Sequence, residues 1–130
     1  MKATRGFTLI EIIIVTALIS VASIVFFIQK NNVELAARDE ARKTSINAIY
    51  YSLEEVFFKE HGHYPRSVDG EILPSVDPEL FKDTNGIKIG ESESEYRYEA
   101  LNCTDDKCKE YTLRTELENE DDYIKENRKQ

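Results

Sequence analysis

The stretch FTLIEIIIVTALISVASIVFFI, Phe7 to Ile28, contains one ionisable side chain, Glu11. The run is roughly 22 residues long and would span about 33 Å as a helix, enough to cross a bilayer. A carboxylate in such a segment costs about 2.5 to 3.5 kcal/mol to insert, so it is by default functional and needs a partner. A structural role is the alternative: from near the helix end, Glu11 can reach the headgroup layer. Three other groups have chemically suggestive spacing. Cys103 and Cys108 enclose four residues in NCTDDKC. His61 and His63 alternate in HGHYP, and Asp69, Asp77, Asp83 and Asn85 punctuate the stretch from 67 to 86.

Each of these has a limited reading. If Thr104 to Lys107 form a turn, the cysteines become cross-strand neighbours at a spacing that fits a disulfide; two free thiols or half of a metal site are the alternatives. The histidines share a face if extended, but no third ligand is near, and surface histidines are the better reading. The acids of 67–86 suggest calcium only incompletely, because the alternation of oxygen ligands and the closing glutamate are not there. No GxGxxG, Walker-type, HExxH or GxSxG stretch occurs, so no catalytic residue, resident metal or cofactor is expected. The 130 residues carry a formal charge of -8, which argues against a general nucleic-acid surface.

Periodicity defines the elements that carry these groups. Leu35, Ile46, Ile49, Tyr50, Leu53, Val56 and Phe57 largely follow three- and four-residue steps among charged residues, and no proline interrupts residues 7–64. One helix from about Thr8 to Lys59 is expected, roughly 75 to 80 Å long, with a stop at Gly62 reinforced by Pro65. Residues 67–86 read as a connecting loop with a short helical turn near Pro78 to Phe81. YRYEAL, 96–101, and YTLRTEL, 111–117, alternate as half-buried strands. The charged end, NEDDYIKENRKQ, reads as a solvated, partly frayed tail.

The basic start, Lys2 and Arg5, would hold the N-terminus on the cytoplasmic side. A secretory signal would be followed by a small-x-small cleavage site, and IVFFIQKNN offers none. The residues Lys2, Arg5, Gly6, Phe7, Thr8, Leu9, Ile10 and Glu11, followed directly by a membrane-length run, resemble the leader and processing site of type IV pilins and pseudopilins. HGHYP is similar to the G-x-Y-P that often closes the long helix of that family. The resemblance covers the first 65 residues well and the rest in outline.

It implies cleavage between Gly6 and Phe7 by a prepilin peptidase, then N-methylation of Phe7. In a staggered filament Glu11 of one subunit would pair with the Phe7 ammonium of its neighbour, since either charge buried alone costs several kcal/mol. The fold it implies is α+β, a long N-terminal helix whose second half packs on a small antiparallel sheet of three or four strands. Residues 1–6 would be the leader, 7–29 the transmembrane and filament-core half of the helix, and 30–130 the extracytoplasmic domain. The implied function is a structural subunit of a type IV pilus-like surface filament, serving adhesion, motility or DNA uptake. Its partners would be further copies, minor pilins, the peptidase, an ATPase-driven membrane assembly platform and, before assembly, the lipid bilayer. Its location would be the cytoplasmic membrane, single-pass with a cytoplasmic N-terminus, then the cell surface. A pseudopilin of type II secretion or competence, or a membrane-anchored module that never polymerises, are the competing readings.

Overall fold

The computed structural model describes residues 6–129, so Lys2, Arg5 and all but Gly6 of the expected leader, 1–6, lie outside the described residues. The chain divides into two compact units, one ending at Leu35 and the other beginning at Ala36. In the first, every residue from Gly6 to Glu34 is solvent-exposed and α1, Leu9–Tyr51, begins two residues after Phe7. The helix is long and apolar enough to cross a membrane. Its hydroxyls are no obstacle to lipid. Thr16, Ser20 and Ser23 donate to the carbonyls of Ile13, Thr16 and Ile19 at 2.8 to 2.9 Å, so each is satisfied within the helix.

In the second unit the helix buries Asp39, Arg42, Ser45, Ile46 and Ile49. These positions fall on one stripe at helical period. The stripe continues through Leu53, but the backbone does not continue as an α-helix: Ser52–Phe57 form a π-turn in which Phe58 N–H donates to the Leu53 carbonyl, five residues back. Each residue added to a turn rotates the later side chains by about 100° around the axis. Val56 is therefore exposed, which corrects its place in the stripe read from the sequence, while Phe57 is half-buried and packs against the core. A last turn, α2, Phe58–His61, ends at Gly62, whose φ of 72° closes the helix in the left-handed region as expected.

Three antiparallel strands come next, in spatial order: β1, Tyr96–Thr104, β2, Lys107–Thr115, and β3, Tyr123–Glu126. Tyr96, Tyr111 and Leu113 face inward and join Ile46, Ile49, Leu53, Tyr64, Leu73 and Phe81 in one core. The short helical turn at Pro78–Phe81 is present as a 3-10 turn capped by Asp77. Two expectations are corrected. The hairpin turn is two residues rather than four, since Thr104 and Lys107 are already paired and Asp105 takes a φ of 57°. Aspartate tolerates that conformation, and Arg66 grips the Asp105 carbonyl at 2.6 Å. The C-terminal stretch is not a frayed tail, because Tyr123 to Glu126 pair with Thr112 to Thr115 and the Tyr123 hydroxyl donates to Asn47 at 2.9 Å.

Candidate functional site

The residues expected to be processed and to assemble lie together at the start of α1. Thr8 is the N-cap. Its hydroxyl accepts from Glu11 N–H at 3.3 Å, while the Glu11 carboxylate accepts from Thr8 N–H at 3.3 Å. This reciprocal pair is a capping box: it gives Thr8 N–H a partner and shares Glu11 N–H between the Thr8 hydroxyl and the Thr8 carbonyl, 3.1 Å away. T-x-x-E before an apolar run is its sequence signature, so the signal for it was present in TLIE. The consequence is positional. Glu11 is held back toward the helix start rather than laid along the apolar surface.

Phe7 is 76% exposed and precedes the first helical residue, so the Gly6–Phe7 peptide bond lies outside the helix where an external enzyme can reach it. A Cβ added at Gly6 would meet nothing within 4 Å. Nothing in the chain's own packing thus demands glycine at this position. The family model for the prokaryotic N-terminal methylation motif matches at this same place. Residues 1–27 carry that motif. Searches of the curated proteins and of the solved structures return no match.

The methylation motif is the type IV prepilin and pseudopilin signal, and it points to a structural subunit rather than an enzyme. With the apolar helix behind it, the motif also suggests membrane anchoring. The remaining candidate residues lie in the second unit. Cys103 and Cys108 are directly opposite in the hairpin and form a disulfide. Cys108 is fixed on its other side too, because its N–H and carbonyl exchange hydrogen bonds with Tyr64 at 3.0 and 2.8 Å. His61 stacks on Phe57 with ring centroids 4.3 Å apart, and Nδ1 of His61 and of His63 bond the carbonyls of Phe57 and His61.

The acids of the loop cap turns. Asp69 accepts from the N–H groups of Glu71 and Ile72, Asp77 from Glu79, and Asp83 from Asn85, Ile87 and Glu95. Burial favours the neutral form of Asp83, but those backbone donors, with Arg42 nearby, outweigh it and leave its pKa below the ordinary carboxylate value. Asn85 instead directs its amide toward Glu95.

Two polar clusters were not legible from periodicity. Glu54, buried on the π-turn, accepts from the hydroxyls of Tyr111 at 2.7 Å and Tyr64 at 3.1 Å, and from Arg128 N–H at 3.3 Å. Asp39 and Arg42, both buried, pair at 2.8 Å. Arg42 also reaches Glu95 at 3.0 Å, and Asp39 accepts from the N–H groups of Glu118 and Asn119. Burial would raise the Asp39 pKa, yet those two donors and Arg42 hold it below its ordinary value. The only hint was spacing: Asp39 and Arg42 extend the Ile46 and Ile49 stripe toward the N-terminus.

Proposed function

We propose that the chain is a structural subunit of a type IV pilus-like surface filament. A prepilin peptidase cuts between Gly6 and Phe7, Phe7 is N-methylated, and residues 7–29 hold the subunit in the cytoplasmic membrane with its N-terminus cytoplasmic. An ATPase-driven platform then moves it into the filament, where residues 7–29 pack with those of neighbouring copies and minor pilins. Residues 30–130 form the extracytoplasmic part. The observation that carries this reading is the methylation motif over residues 1–27, set against a Gly6 that the fold itself does not require.

In this reading Glu11 changes partner during assembly. In the single chain it caps the helix start, and in the filament it meets the Phe7 ammonium of a neighbour, where two charges neutralise each other in an apolar surround. Intact-mass measurement on membranes and on sheared surface filaments tests it. The expected species begins at methylated Phe7 in both fractions. A chain that begins at Met1 in filaments, or is cut near Gln29, overturns the reading. The variant Gly6→Leu is expected to insert and fold but to stay unprocessed and absent from filaments.

A further inference from the structure

The second unit carries a protruding apolar side chain and, elsewhere on its surface, a groove of matching chemistry. Ile124 is 52% exposed on β3. Alternation along a strand places Glu126 on its face, and exposed Asp122 flanks it at the same interval just before the strand. Arg114, its cross-strand neighbour, is exposed as well. The groove, of about 550 Å³, lies in the loop region with Val68, Phe81 and Ile89 among its lining residues and Lys82 and Lys88 beside them.

The two lysines are partners in an isolated antiparallel bridge. Such pairing sets two side chains next to one another, and like charges so placed are destabilising unless something neutralises them. Lys82 bonds Glu79 at 2.7 Å, while Lys88 makes no ion pair among the described residues. The pair therefore keeps positive charge to offer an external carboxylate. Also lining the groove, Asp69 is engaged by its own backbone turn, whereas Glu71 is exposed.

We propose that these two surfaces bind one another between copies of this chain. Ile124 of one copy enters the groove over Phe81 of the next, Asp122 and Glu126 meet Lys82 and Lys88, and Arg114 meets Glu71. The occupant is a second copy because Asp122, Glu126 and Arg114 around Ile124 have their opposites in Lys82, Lys88 and Glu71 around the groove. At a formal charge of -8, two copies repel unless such complementary patches face each other. The surfaces are different patches, so the contact is head-to-tail and, in a helical filament, repeats from one subunit to the next. This contact rests on the filament reading and specifies how the outer domains of neighbouring subunits meet.

The test uses the full chain in cells that make filaments. Lys82→Glu with Lys88→Glu, and separately Asp122→Lys with Glu126→Lys, should each lower subunit recovery in sheared filaments about tenfold. All four changes in one chain should restore most of it. A chain with Ile124→Cys and Lys88→Cys should give an oxidant-dependent ladder of linked subunits, which neither single change gives. Resistance of the domain to protease establishes that each variant is folded. Filaments that persist through the reversals and yield no ladder overturn the contact and leave the filament reading standing. A wild-type chain that forms no filaments overturns both.

Discussion

The Tyr111 hydroxyl donates to Glu54 Oε1 at 2.7 Å, joining the middle of β2 to the π-turn of the helix. Both residues are buried, and Tyr64 reaches the same carboxylate from the segment after the helix, its ring edge-on to Tyr111 at 4.8 Å. One carboxylate thus holds three parts of the second unit. Its partners are all donors, so an amide cannot replace it without turning an N–H₂ toward one of them.

Glu54→Ala is expected to destabilise the domain by about 1 to 3 kcal/mol for each hydroxyl it leaves unsatisfied. Tyr111→Phe should cost about 1.5 to 3 kcal/mol, the range for a hydrogen bond to a charged group. Because the two share one interaction, the double variant should be less destabilised than the sum. Denaturant midpoints of the four chains check this, and strict additivity would show that the pair does not couple.

Stability should fall at both ends of the pH scale. Asp39 and Asp83 titrate below their ordinary value in the fold, so their contribution is complete above about pH 4 and is lost as pH falls through the depressed values. Tyr64, Tyr98 and Tyr111 are raised, first by burial and, for Tyr64 and Tyr111, also by Glu54. Their contribution is complete below about pH 10 and lost above it, as the unfolded chain ionises first. Thermal midpoints across pH should therefore show a plateau between these limits. A midpoint that keeps rising above pH 10 would contradict the tyrosine assignment.

Native, unreduced protein should take up no alkylating label at Cys103 or Cys108. Reduction should cost about 2 kcal/mol, since the closed loop is short. The reduced domain should still fold, because Tyr64 pairs with Cys108 through the backbone whether or not the sulfurs are joined. Loss of all protease resistance on reduction would show instead that the bridge is required for folding.

Glu11→Gln separates the two roles given to that residue. Glutamine preserves an acceptor in the capping box but removes the charge. Assembly driven by pairing with a neighbour's Phe7 ammonium should fail with Gln as with Ala, at a cost of about 3 to 5 kcal/mol per contact. Cleavage and insertion should be intact in both. The ratio of processed subunit in filaments to that in membranes is the measurement. Normal assembly of Glu11→Gln would mean that the cap, not the charge, is what matters.

Strong local signals survived translation into structure. The apolar run, the Gly62 stop, the Pro78–Phe81 turn and the opposed cysteines were visible in patterns of a few residues, as were the hairpin strands but not their bounds, since β1 runs on to Thr104 and β2 spans Lys107–Thr115 rather than 111–117. The features that stayed hidden depend on distant partners. The π-turn has no local marker; it coincides with a glutamate whose partners lie 10, 57 and 74 residues further on. β3 was hidden because charge suggested solvation, whereas Tyr123 and Lys125 alternate inward and the Lys125 ammonium sits 5.3 Å from the Tyr50 ring centre. At the start of α1 the charge of Glu11 masked its part in the Thr8–Glu11 cap, which T-x-x-E spacing alone encodes.

The placement of β3 sets a schedule for the protein's biogenesis. The strand that covers the outer edge of β2, the Asn127 side chain that accepts from Tyr111 N–H, and the Arg128 N–H that meets Glu54 all belong to residues 123–128, far downstream of everything they touch on the helix. No intermediate in which they are undocked has the complete unit, and a chain cut short before Tyr123 leaves the edge of β2 and a buried carboxylate without their last partners. Docking of residues 123–128, rather than formation of the helix, is therefore the step that completes the unit.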